Sequence, residues 1–223
     1  MNSPRSRRDD LLDAAERLFA DRGFYGASMR DIAREARVQL GLSTYYFTTK
    51  EQLYQEVLRR RGEDLVALLE DSLRELCERR PRPTVAEIME AFIVPHVRRV
   101  AADAAWRRYS QILYQLAAFE ERRSLGAWLF PPHERVLDLY VEALGGALPG
   151  AEPRKLRIAM LFARQLKLGF IVNMSSESAA PDPARLSLDV LPQLVDFARV
   201  GVVAAAAAEA VPIPQPRRLR TRR

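Results

Sequence analysis

Residues 28–47 read SMRDIAREARVQLGLSTYYF. Met29, Ile32, Ala33 and Ala36 recur at the i, i+3, i+4, i+7 spacing that gathers apolar side chains on one helical face. Ser28, three residues before Asp31, forms a weak version of a capping box, so a short helix is expected to start there. Val38 anchors the chain after a tight turn, and Phe47 closes the unit. Small Ala33 and Ala36 allow a neighbouring helix to approach closely. The layout is a helix-turn-helix whose second helix, about residues 39–46, carries Gln39, Thr44, Tyr45 and Tyr46, all able to hydrogen-bond phosphates or base edges. Leu40 and Leu42 are apolar where solvent or a partner is expected. Two explanations stand side by side: contact with thymine methyl groups, or Leu42 filling room left by the small Ser43.

The longer run from Leu11 to Leu53, with FADRGFYGASMRDIAREARV, then YYF and TTKEQL, resembles the N-terminal DNA-binding domain of the TetR family of transcriptional regulators. The likeness covers roughly the first quarter of the chain. It implies a DNA-facing set of Ser28, Arg30, Gln39, Leu40, Gly41, Leu42, Thr44, Tyr45, Tyr46 and Lys50. Lys50 has its own argument. It sits in the first turn of its helix, gains nothing from that helix's positive end, and a phosphate would explain it. This sequence departs from the family pattern where Arg37 replaces a turn glycine, Tyr46 a common His, and Thr48-Thr49 a more usual Gly-Ser or Pro-Ser.

Around this unit the periodicity is helical throughout, without strand alternation or repeats. Arg5, Arg7 and Arg8 form a basic arm. Leu11, Leu12, Ala15, Leu18 and Phe19 mark one helix face, and Gly23 is a plausible C-cap. Thr48 with Glu51 and Thr49 with Gln52 make two overlapping capping boxes, which open a long helix to about Leu76. ERRPRPT breaks the chain, and Thr84 with Glu87 starts the next helix. Further helices are expected at 85–100, 104–119, 123–130, 132–144, 154–174 and 184–208. The fold class is therefore all-α: a three-helix head over residues 1–50, a helical body over 51–210, and a basic tail over 211–223.

The totals restrict the function. Net charge is +6, but Arg217, Arg218, Arg220, Arg222 and Arg223 supply five of those charges with no acid among them, so basicity is weak support for nucleic-acid binding. The lone Cys77 excludes an internal disulfide. No apolar run near membrane-spanning length and no signal-like start are seen, so a cytoplasmic protein with no membrane association is expected. Histidine occurs only at 96 and 133, and no glycine-rich phosphate loop is present. No metal, no cofactor and no catalytic group is therefore expected.

The body offers an aromatic and polar set, Phe92, His96, Trp106, Tyr109, Tyr114, Trp128, Phe130 and Gln165, with Arg164 beside it. The set suits an apolar ligand pocket or, equally, ordinary core. Two segments stand out: 158–174 is apolar over too wide an arc for a surface helix, and 191–208 ends in VGVVAAAAAEA, a small-residue face suited to close helix contact. They match the family's dimerising pair, with Leu161, Leu168, Ile171, Leu194, Phe197 and Val202 as expected interface residues. By resemblance, the whole is a repressor that binds a palindromic double-stranded DNA operator as a homodimer and is released by a small-molecule effector, apolar or aromatic in kind. An all-α small-molecule-binding protein or enzyme with a vestigial head is the alternative. A nonspecific chromosome-associated protein led by its arginine tail is a third reading.

Overall fold

The computed structural model describes residues 6–118, 130–175 and 187–207, and among these every regular element is helical. In chain order they are α1 (Arg7–Gly26), α2 (Met29–Glu35), α3 (Leu40–Tyr46), α4 (Lys50–Arg79), α5 (Val85–Ala102), α6 (Ala104–Ala118), α7 (Phe130–Ala147), α8 (Pro153–Ser175), a 3-10 turn (Leu188–Val190) and α9 (Leu191–Ala207). The helix expected at 123–130 lies outside the described residues except for Phe130, which opens α7. The one expected at 184–208 begins as α9, behind the 3-10 turn.

Local chemistry sets the head. Ser28 caps α2, its Oγ accepting from the Asp31 N–H at 3.1 Å. Thr49 caps α4 and Gln52 reaches back to the Thr48 N–H at 2.9 Å, so of the two overlapping boxes only the Thr49–Gln52 arrangement forms. Gly23 adopts φ 70°, ψ 176°, which bends α1 before its last turn. The turn after α2 closes as a Schellman motif, with Arg37 N–H on Arg34 O (3.1 Å) and Val38 N–H on Ala33 O (2.9 Å). Its left-handed residue is Arg37, at φ 56°. Arginine thus occupies the conformation that glycine usually takes.

Phe19, Phe24 and Tyr54 pack ring on ring, Tyr54 lying 4.9 and 5.1 Å from the other two centroids. Ile32, Phe47, Leu53, Val57 and Leu58 complete this core. Because α4 supplies Leu53 to Leu58, a boundary at residue 50 cuts a helix that head and body share.

In the body, α5 is the central element, packed against α4, α6, α7, α8 and α9. Thr84 and Glu87 close a full capping box at its start. Pro95 interrupts its interior and leaves Ala91 O without the usual helical N–H. The Tyr140 hydroxyl of α7 fills that gap at 3.1 Å, shared with Leu69 O of α4 at 3.0 Å.

One expectation is corrected. Leu188–Ala207 is long and apolar enough, on length and composition alone, to cross a membrane. Its alanines and valines raise the mean hydropathy, although Asp189, Asp196 and Arg199 interrupt the run. One face of α9 packs on α5 and α8 in the body.

The two left-handed positions predict opposite stability changes. Gly23→Ala is expected to destabilise the chain by about 1–3 kcal/mol, since its φ/ψ pair is essentially reserved for glycine. Arg37→Gly is expected to stabilise it by about 1 kcal/mol. Urea titrations of the two variants beside the parent check both signs.

Candidate nucleic-acid interface and buried cavity

The outer face of α3 is poorly supported by its own chain. Tyr45 is 80% exposed and Leu40 40% exposed. Tyr46 is half-buried, its ring edge-on to Tyr45 at 5.4 Å. Gln39 occupies the N-cap without capping, so its amide is uncommitted there. A Cβ on Gly41 would meet nothing within 4 Å, so packing inside the chain does not require glycine at this place. The Thr44 hydroxyl is exposed and donates to Gly41 O at 2.9 Å. Ser43 is enclosed, its hydroxyl on Leu40 O at 2.7 Å. Leu42 is half-buried and is not one of the side chains packed on the core, which speaks against its filling the room beside Ser43. On α2, Arg30 is exposed and makes no ion pair among the described residues, while the Ser28 hydroxyl is engaged with the Asp31 carboxylate at 2.5 Å.

Lys50 needs a different account from the one the sequence invites. Its ammonium donates to Phe24 O (3.0 Å) and Ala27 O (3.1 Å), and lies 4.3 Å from the Phe24 ring centroid. The last turn of α1 contains no basic residue, and Lys50 brings a cation to those terminal carbonyls from the neighbouring helix. The lysine is thus explained by holding the α1–α2 corner, with no phosphate required.

Inside the body, α4 to α8 enclose a cavity of about 50 Å³. Leu65, Leu69, Leu113, Val136 and Leu168 give it hydrocarbon walls, and His96, His133, Arg164 and Lys167 give it basic groups. Of the expected pocket set, Phe92 and His96 line it. Trp106 and Tyr109 are fully buried behind His96, with ring centroids 6.0 Å apart at each step, so they are core. Tyr114 is 38% exposed and Gln165 is exposed, so neither belongs to the cavity. Helical phase turns both outward. Trp128 and the side chain of Phe130 lie outside the described residues.

Lys167 is the residue that the sequence reading missed. A signal was available, because Leu156, Ala159, Met160, Ala163, Phe170 and Ile171 form the buried stripe of α8 and Lys167 falls in its register. Lys167 is 3% exposed, and its ammonium donates to Phe92 O at 3.1 Å and sits 3.6 Å from the Phe92 ring centroid. Burial, with Arg164 nearby, pulls its pKa down to about 7. Burial also holds His96 well below the ordinary histidine range, with Lys167 and His133 adding to the effect. The neutral His96 ring bonds Ser110 through Nε2 at 3.0 Å, and its Nδ1 has no partner among the described residues.

Head and body meet at one acid. Glu16 of α1 is 2% exposed and takes Arg108 of α6 at 2.9 Å and Arg61 of α4 at 3.4 Å. Gln115 of α6 adds a bond to Ala20 O at 2.8 Å.

The profile of bacterial regulatory proteins of the tetR family matches residues 11–57, and that of the tetracyclin repressor-like C-terminal domain matches residues 90–201. The second match alone spans half of the chain. The chain belongs to the TetR family. Over 58 residues it is 47% identical to the HTH-type transcriptional repressor KstR2 of Mycolicibacterium smegmatis, covering 26% of this chain and 28% of that protein. Over 86 residues it is 38% identical to the transcriptional activator FasR of the same species, covering 39% and 38%. The chain thus aligns with well under half the length of these relatives. A TetR-like regulator from Rhodococcus sp. RHA1 superposes with a TM-score of 0.67 at 17% identity, covering 93% of this chain and all of that one, a likeness of fold.

The TetR fold directs attention to α8 and α9, where the expected contact residues divide. Leu168, Ile171, Leu194 and Val202 are buried within this chain, and Leu161 packs half-buried on its core. Only Phe197 of that set is exposed, at 69%. The outward apolar face is instead Ile158, Phe162, Phe197, Val200 and Val203. A helix apolar all round gives no phase, so the sequence alone does not separate the inner stripe from the outer one.

The buried lysine yields a pH prediction. Its folded pKa of about 7 lies below the ordinary lysine value, so between pH 7 and 9 the unfolded chain keeps a proton that the folded chain has released. Unfolding then binds protons, and stability rises with pH across that window. Melting temperature is expected to climb from pH 7 to 9 in the parent, and part of that climb should vanish in Lys167→Met. Differential scanning calorimetry of the pair measures it.

Proposed function

We propose that this TetR-family chain is a sequence-specific transcriptional regulator, acting in the cytoplasm as a homodimeric repressor that a small-molecule effector releases from a palindromic operator. The exposed outer face of α3 carries the reading. A helix-turn-helix whose second helix presents Gln39, Leu40, Gly41, Thr44 and Tyr45 outward, with open space above Gly41, is suited to the major groove. Arg30 and Tyr46 flank that face and suit phosphate contact. Ser28 and Lys50 contribute by holding the ends of α2 and α1. The curated relatives include a repressor and an activator, both of helix-turn-helix type.

Dimerisation follows from size. One seven-residue helix reads too few base pairs for a unique site, and two-fold pairing doubles the site. Phe162 and Phe197, 68% and 69% exposed, are the anchors we assign to the dimer contact. The cavity lined by Phe92, His96 and Lys167 is the effector site in this reading. Its walls come from α4, which also enters the head core. No catalytic step is assigned to it.

Selection from a random duplex pool at near-physiological salt is the test, because dilute buffer lets any basic segment retain DNA. Enrichment of a palindrome is expected, and a pool that stays random removes sequence-specific reading. Tyr45→Ala should weaken binding to the selected operator about 10-fold or more without lowering the melting temperature, since each good base-edge contact is worth roughly 1–3 kcal/mol. Phe197→Asp is expected to give a monomer in sedimentation and to lose operator binding. A dimer that survives this charge would move the interface elsewhere.

A further inference from the structure

The cavity contains a buried cation with no counter-ion among the described residues. Lys167 has three N–H donors, and the described structure offers them one backbone carbonyl and one ring face, both from Phe92. An ammonium removed from water and left without an acid is costly, which is why buried charges are ordinarily paired. The other polar groups on the cavity wall do not help. His96 approaches from α5, His133 from α7 and Arg164 from α8, while α4 and α6 present only Leu65, Val66, Leu69 and Leu113. Among the described residues no acid lines the cavity. Glu134, which pairs with Arg164 at 3.3 Å, is shared with Arg157 at 2.5 Å.

Two further donors point the same way. Arg164 Nε is buried without a hydrogen-bond partner, and so is His96 Nδ1. If Ser110 donates its hydroxyl proton to His96 Nε2, the neutral ring carries its own proton on Nδ1, where it becomes a donor. Donors in excess, acids absent and hydrocarbon elsewhere describe a receptor for an amphipathic anion. A cationic ligand would be repelled there, and a neutral one would leave the ammonium as costly as before.

We propose that this cavity binds an organic monocarboxylate, its carboxylate paired with Lys167 and supported by Arg164 and His96, and its hydrocarbon part lying against Leu65, Leu69, Val136 and Leu168. The inference rests on the effector-site reading above and deepens it by naming the ligand's chemistry. One ammonium matches one carboxylate. A hollow of about 50 Å³ is well below the ~150 Å³ that holds a benzene ring, so each of these ligands requires the leucines to move aside, longer chains the most.

The test uses the full chain without DNA, so that it stands apart from operator selection. Butyrate, hexanoate, octanoate and benzoate are titrated by calorimetry, each beside its primary amide. The carboxylates are expected to bind about 10-fold or more tightly than the amides, as a charge-assisted contact in a dry site requires. Lys167→Met should abolish that preference. At pH 8, close to one proton should be taken up per carboxylate bound, read from two buffers of different ionisation heat, because pairing restores the proton that burial had removed. Equal binding of acid and amide, binding of neither, or a Lys167→Met protein that retains the preference would each overturn the proposal. If that variant does not fold, the acid-to-amide ratio and the proton uptake of the parent decide. A palindrome recovered from the pool together with failure here removes the carboxylate alone and leaves the regulator standing.

Discussion

The structure turns on the carboxylate of Glu16. It is an acid inside the first helix of the head, almost fully enclosed and held between Arg61 of α4 and Arg108 of α6. Removing its partners would leave a charge in a place where water cannot reach it, so the head is held to the body by more than surface packing. The same helix α6 grips α1 a second time through Gln115, and its other face presents Leu113 to the cavity and Ser110 to His96. A ligand that shifts Leu113 or the His96–Ser110 pair therefore presses on the helix that holds α1. Such a ligand biases the head only as far as its affinities for two arrangements differ, and this is the physical content of an effector.

A single proline organises the other side of the cavity. Pro95 has no N–H for Ala91 O, and the vacancy is taken by Tyr140 from α7. The next carbonyl along, Phe92 O, takes Lys167 from α8. Two adjacent backbone acceptors on α5 thereby tie in two different helices. The break in the helical ladder is thus used for tertiary contacts, and the buried ammonium is positioned by backbone as well as by the Phe92 ring.

The head was legible in the sequence because its signals are local. Ser28 with Asp31, Thr49 with Gln52, Gly23, and the spacing of Met29, Ile32, Ala33 and Ala36 each act within one or two turns, and each reappears in the structure. The structural role of Lys50 was not legible for the opposite reason. Its partners, Phe24 O and Ala27 O, are more than 20 residues away in sequence, and no pattern around Lys50 reports them. Tyr114 and Gln165 were assigned by residue type alone, and helical phase sent both to the surface. Lys167 was the reverse case, a charged letter overlooked although its phase on α8 was already that of the core.

The shared helix sets the scale on which the two halves communicate. α4 begins at Lys50 under the head, presents Leu65, Val66 and Leu69 to the cavity, and continues without a break to Arg79. Fifteen residues separate Lys50 from Leu65, a rod of about 22 Å at the helical rise of ~1.5 Å per residue. A tilt of about 10° at the cavity end moves the far end by roughly 4 Å, which is more than the ~3.4 Å between successive base pairs. Two heads docked on half-sites one helical turn apart tolerate little change in their separation. In the homodimeric repressor proposed above, opening the cavity by the width of one or two leucine side chains would, through this lever, be enough to take a pair of α3 helices out of register with the groove.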